Sequence, residues 1–191
     1  MAGDWLSVKR TEVGAEVILD AADRLFAKHD AASVGMSEIA RAAGCSRATL
    51  YRYYENREAL HLAYVHRVTF RLFAAVGDRI AHITDPRARL LEAFVIAVRS
   101  VRENPALSSW FATSAPAIGG EVAAQSEVIT GLATSFLSSL GIEDPQRRAG
   151  WLIRIMVSLL MFPGADEADE RAMLEEFVVA QLVPTPTQAS Q

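Results

Sequence analysis

Apolar positions in this chain return every three to four residues, and no stretch alternates at period two. That spacing gathers apolar side chains on one face of a helix, so the chain is expected to be all-α, with about nine helices. Val17, Ala21 and Leu25, flanked by Ile18 and Phe26, predict a first helix over roughly 10–28. Two short helices follow at about 37–43 and 47–53. Asn56 offers a capping oxygen to a long fourth helix reaching about residue 82. Leu62, Val65, Thr69, Phe73, Val76 and Ile80 line one of its faces and Leu60, Tyr64, Val68 and Leu72 the adjacent one. A helix apolar over so wide an arc must touch two neighbours. Asp85-Pro86, Asn104-Pro105 and Asp144-Pro145 each pair a capping side chain with a residue that loses no needed N–H in a first turn. They predict helices at about 86–103, 105–113 and 145–162. Another is predicted over 119–140, ending at Gly141, and a last one over 166–182 after Pro163-Gly164. The tail from Pro184 is expected to be disordered. The expected division is therefore a head at 1–55, a helical body at 56–183 and a tail at 184–191.

The segment Ser37–Tyr54 carries the functional signal. Ile39, Ala40 and Ala43 suit packing of one short helix across another. Gly44 permits the left-handed backbone that ends the first, and Ser46 can cap the second. In a helix-turn-helix the second helix enters the major groove of DNA with its N-terminal residues foremost. Arg47 then reads guanine, Thr49 meets a thymine methyl or a phosphate, Tyr51 reaches backbone or base, and Leu50 points inward.

A net charge of −4 looks unsuited to a polyanion until it is divided. Residues 1–80 hold 11 Lys/Arg and 10 Asp/Glu, whereas residues 81–191 hold 8 and 13. From Arg41 to Arg57 there are four Arg against one Glu, so positive charge is concentrated on the reading unit, where phosphates would meet it.

Ile18-Leu-Asp-Ala-Ala-Asp-Arg-Leu-Phe26, Ile39-Ala40, Gly44-Cys-Ser-Arg-Ala-Thr-Leu-Tyr-Arg-Tyr-Tyr54 and Asn56-Arg-Glu-Ala-Leu60 occur in order. Over residues 10–60 this pattern closely resembles the N-terminal domain of the TetR family of transcriptional regulators. The resemblance implies a three-helix DNA-binding domain joined by a long helix to a helical ligand-binding and dimerisation domain. It implies DNA contact by Ser46, Arg47, Ala48, Thr49, Tyr51, Arg52 and Tyr53, with Arg57 on phosphate at the start of the fourth helix. Two positions depart from the usual pattern. Gly35 stands where Thr or Ser often begins the second helix, and Cys45 replaces the usual Val of the turn. Cys45 reads as a small buried hydrophobe rather than a redox switch.

The second half is expected to sense and to pair. Phe94, Val98, Trp110, Phe111, Phe136 and Trp151 are the expected lining of a ligand cavity. Arg99, Glu103, Ser109, Thr113 and Ser114 are the polar groups available to anchor a largely hydrophobic ligand by one or two hydrogen bonds. Leu152, Ile155, Met156 and Leu159 of the eighth helix, with Phe177 and Val178 of the ninth, are the expected dimer interface. The reading is a homodimeric repressor that binds a palindromic operator and is released by a small, largely hydrophobic molecule. An activator of the same fold, or a protein-interaction module that does not bind DNA, are the alternatives.

The composition argues against other classes. The four His residues show no metal-ligand spacing, and His61 with Glu58 one turn earlier reads as a surface pair. No phosphate loop, dinucleotide glycine motif or nucleophile elbow is present. No catalysis, metal or cofactor is expected. One cysteine, no signal-like start and no apolar run long enough to span a bilayer point to a cytoplasmic protein.

Overall fold

A computed structural model describes residues 4–111, 122–123 and 125–183, with side chains from Val13 onward. All regular structure among these residues is helical. The helices are α1 (Asp4–Phe26), α2 (Met36–Ala42), α3 (Arg47–Tyr53), α4 (Arg57–Ile80), α5 (Pro86–Glu103), α6 (Pro105–Ser108), α7 (Glu127–Ser139), α8 (Pro145–Met161) and α9 (Glu167–Leu174). A π-helical turn, Glu175–Val179, and a final Ala180–Leu182 turn extend α9. The predicted tail from Pro184, and the beginning of the helix predicted at 119, lie outside the described residues.

The caps explain most boundaries. Asn56 Oδ1 accepts from Ala59 N–H at 2.7 Å, and Asp85 Oδ2 accepts from Ala88 N–H at 2.8 Å. Asn104 Oδ1 accepts from Ala106 and Leu107. Asp144 departs from the expectation: it sits at φ 48° and makes no capping hydrogen bond, leaving Pro145 to start α8 by its fixed φ. Of the helix predicted over 105–113, the described residues hold the single turn α6, with Ser109 and Trp110 in a turn after it; 112–113 lie outside the described residues.

The chain separates into two compact units, Met1–Val68 with Asn104–Ile118, and Thr69–Glu103 with Gly119–Gln191. The division between these units falls inside α4. Leu60, Tyr64 and Val68 are buried in the first core, beside Ile18, Leu19, Ala22, Phe26, Ile39 and Leu50. Trp110 and Ala106 complete that core from a distant stretch of sequence. In α1 Ile18, Leu19, Ala21, Ala22 and Phe26 are buried; Ala21 of the expected face is sealed, whereas Val17 is exposed. The second unit is built on Leu90, Leu91, Phe94 and Val98 of α5, Leu137 of α7, Leu152 of α8, and Leu174, Val178 and Leu182 at the chain's end.

Candidate nucleic-acid interface and cavity

The turn between α2 and α3 is closed by two backbone bonds. Gly44, at φ 70°, donates to Arg41 O at 3.1 Å, and Cys45 donates to Ala40 O at 3.0 Å. A β-carbon at Gly44 would strain this left-handed closure. Cys45 is half-buried against the core of the first unit. Ser46 caps α3, its Oγ accepting from Thr49 N–H at 3.0 Å. Leu50 is fully buried and fixes the rotation of α3, so Arg47, Ala48, Tyr51 and Arg52 face solvent. The Arg47 guanidinium lies over the Tyr51 ring at 5.9 Å, and that of Arg52 over Tyr53 at 5.8 Å. Such stacking holds long cationic side chains along one face, reducing the ordering required when a ligand docks there.

Four expected contact residues are engaged within the unit. The Thr49 and Ser46 hydroxyls share a hydrogen bond of 2.9 Å. Tyr53 is half-buried, and a β-carbon at Gly14 would overlap its hydroxyl and lie 2.7 Å from Cζ. Gly14 thus forms the notch in α1 that seats the last turn of α3. Arg57, expected on phosphate, is half-buried. Its Nη2 donates to the carbonyls of Ala31 and Ala32, because α4 begins beside the turn that ends α1. Gly35 caps α2 in extended geometry with no side-chain acceptor.

An aromatic block backs this arrangement. The Trp110 ring stacks on Tyr64 with centroids 5.7 Å apart and meets Phe26 and His61 edge-on at 5.4 and 4.8 Å. Tyr64 donates to Asp23 Oδ1 at 2.8 Å. His61 is not a surface partner of Glu58: it is 5 % exposed, and Arg57 Nε reaches its Nε2 at 3.5 Å. Burial, then the nearby Arg57 charge, lower its pKa to about 4. Trp110, 3 % exposed, lies in the core of the first unit, and Phe111 beside it packs against that core. Their segment has no helical period from which to assign a partner.

The second unit contains a cavity of about 130 Å³. Leu72, Phe73, Val76, Gly77 and Ile80 of α4 line it, with Leu90, Ala93, Phe94 and Ala97 of α5. Ile129, Ala133, Phe136 and Leu137 of α7 and Leu152, Ile153 and Met156 of α8 complete the wall. Phe94 and Phe136 are where the sequence placed them. The α4 residues were legible only as an apolar face, and Gly77 carried no signal. Val98 lies instead in a smaller hollow of about 100 Å³, beside Arg99, Arg102, Glu167 and Glu170. The expected polar anchors are elsewhere: Arg99 pairs with Glu167, and Ser109 donates to Ala106 O in the first unit. Thr113 and Ser114 lie outside the described residues.

Trp151 is 41 % exposed and absent from the cavity wall. It shares an outward apolar surface type with Phe162 and Phe177, which are 69 % and 59 % exposed. Leu152 and Val178, expected to pair subunits, are buried in this unit's own core. Ile155, Met156 and Leu159 are half-buried against that core, Met156 also lining the cavity. The π-helical turn inserts its extra residue at 175–179, so Val178 and Val179 both turn inward and Phe177 outward. Arg102 clamps α9: it makes two 2.7 Å bonds to Glu170 and one of 2.8 Å to Leu159 O. The Arg102 hydrogen bonds hold the Glu170 carboxyl below its usual pKa. Arg171 pairs with Glu92 of α5.

Residues 18–64 match the family profile described as bacterial regulatory proteins, tetR family. An HTH-type transcriptional regulator of Mycobacterium tuberculosis (strain CDC 1551 / Oshkosh), itself described as uncharacterized, is 58 % identical over 193 residues. The match covers 99 % of this chain and 96 % of that protein. The chain belongs to the TetR family. Among solved structures, the TetR-family repressor AlkX from Dietzia sp., implicated in biodegradation of n-alkanes, is 25 % identical with a TM-score of 0.68, covering 87 % of this chain and 94 % of that one. RolR in complex with resorcinol shares the fold at a TM-score of 0.72 and 18 % identity, over 92 % of this chain and 90 % of that one. This TetR-family protein is accordingly a transcriptional regulator with an N-terminal helix-turn-helix, and not an enzyme. Among the described residues no cluster of His, Cys, Asp and Glu could hold a metal ion, and no helix is long and apolar enough to cross a membrane.

Proposed function

We propose that this regulator is a homodimeric repressor that binds a palindromic operator through α3 and is released by a small hydrophobic effector. The observation that carries the reading is the outward face of α3, where Arg47, Ala48, Tyr51 and Arg52 stand free while Leu50 anchors the helix from behind. Two such heads fit half-sites about 34–36 Å apart on one side of a duplex. The outward Trp151, Phe162 and Phe177 supply apolar surface that a second copy would cover. The effector site is the cavity of the second unit. There a buried methylene gains about 0.8 kcal/mol, and a polar group stripped of water loses roughly 2–7 kcal/mol unless it is paired. To release the operator, the effector must bind the DNA-incompetent state more tightly than the competent one.

Titration of the promoter fragment next to its own gene, across a salt series, tests the reading. Arg47→Ala and Tyr51→Ala should each cost about 1–3 kcal/mol on the operator and narrow its margin over random DNA. Variants that bind both DNAs as the unaltered protein does would rule out α3 as the reading helix. Loss of the gene should raise transcription of its targets; a fall would make the protein an activator.

A further inference from the structure

Resting on the reading of this cavity as the effector site, we propose that it recognises a bare hydrocarbon moiety of about six carbons, with no polar anchor, and that Gly77 sets its depth. Every lining side chain is aliphatic, aromatic or the thioether of Met156. Two polar residues next to the wall in sequence are committed elsewhere: Glu92, beside Ala93, pairs with Arg171, and Thr134, beside Ala133, donates its hydroxyl to Thr130 O at 2.7 Å. Helical backbone leaves no free donor or acceptor between caps. A ligand hydroxyl or carboxylate placed among these residues would surrender its water and receive nothing in return.

The size fits the chemistry. A hollow of roughly 150 Å³ walled by Leu, Ile and Phe stays dry and holds benzene. This one is about 130 Å³, enough for a six-membered ring or a short alkyl end. Glycine inside a helix is a poor choice for stability, and no neighbour demands one here, since a β-carbon at Gly77 would meet no heavy atom within 4 Å. What the missing side chain leaves is room in the cavity, between Phe73, Val76 and Ile80 of the same helix. Ala93, Ala97 and Ala133 keep the opposing walls equally shallow.

Two sources present this chemistry: a free hydrocarbon, or the alkyl end of an amphiphile whose head stays outside. Calorimetric titration and thermal melting of the full chain with benzene, phenol and decanoate separate them. Benzene is expected to bind and to raise the melting temperature, and phenol, the same ring with one hydroxyl, to bind on the order of 10–100-fold more weakly. Decanoate that competes with benzene identifies an amphiphile's tail; decanoate that does not identifies a free hydrocarbon. Gly77→Leu, which fills the hollow, should abolish benzene binding. Gly77→Ala should weaken it about fourfold, the value of one displaced methylene, and serves if the larger variant does not fold. Phenol binding as tightly as benzene, no benzene binding at all, or unaltered benzene affinity in folded Gly77 variants would each overturn the proposal. Operator retention is measured separately: benzene that binds without changing it removes the proposed regulation and leaves the hydrocarbon site standing.

Discussion

The first unit fills its core with rings, and the second leaves a hole. Phe26, Tyr64 and Trp110 interlock within 5.7 Å and are all but sealed from solvent. Around the cavity the corresponding places are taken by Gly77, Ala93, Ala97 and Ala133. Both units draw on the same stock of apolar helices, so the difference lies in side-chain volume at a few facing positions. A filled core fixes α3 in one rotation, as a groove-reading face requires. A hollow one forgoes the contacts that a guest could make and therefore stands to be stabilised by it. Both units are also tied by charge, Arg67 to Glu16 and Asp20 in the first, and Arg102 to Glu170, Arg99 to Glu167 and Arg171 to Glu92 in the second.

Making the first unit hollow should have the largest effect. Trp110→Ala is expected to cost about 3–5 kcal/mol in denaturant unfolding and to weaken operator binding by loosening α1 and α4 behind α3. Cutting the tie of the second unit comes next. Arg102→Ala leaves Glu170 buried without its partner and should cost about 2–4 kcal/mol, whereas replacing both by apolar residues should recover much of that. A smaller effect separates the cores by pH. The folded first unit protonates His61 at about 4, below the ordinary 6.5. Between these values the unfolded chain binds more protons, so stability falls as pH drops from 6.5 towards 4, by on the order of 2–3 kcal/mol. His61→Phe should flatten that slope in unfolding curves taken across the window. The smallest change has the opposite sign: Gly77→Ala should raise stability by about 0.4–1 kcal/mol in the absence of ligand. A loss there would mean that the hollow needs its glycine for packing.

The helix-turn-helix was legible because its signals are local. Gly44 needs a left-handed backbone, Ser46 needs the N–H three residues on, and Leu50 is the apolar position between outward neighbours; each was where the sequence put it. Assignment of apolar residues to a particular core was less legible. Periodicity identifies an apolar face but not what covers it, so Leu152 and Val178 read as an interface and are buried in their own unit. The surroundings of Trp110 and Arg57 were hidden for a different reason. Their partners, Tyr64 and the carbonyls of Ala31 and Ala32, are set by how distant segments meet, which no spacing records. Trp151 shows the limit in reverse: an aromatic in an apolar stripe, turned to solvent by a rotation of one residue.

The contribution of Trp110 to the first core also has a consequence for synthesis. A chain emerging from the ribosome has α1 to α3 and the first half of α4 by Val68, yet that core lacks α6 and its indole until residue 110 is made. At about 5–20 residues per second the interval is a few seconds, during which α5 of the other unit is also translated. Nascent chains should therefore acquire the native fluorescence of Trp110 only after this delay, and a fragment ending at residue 68 should remain an incompletely ordered reader of DNA.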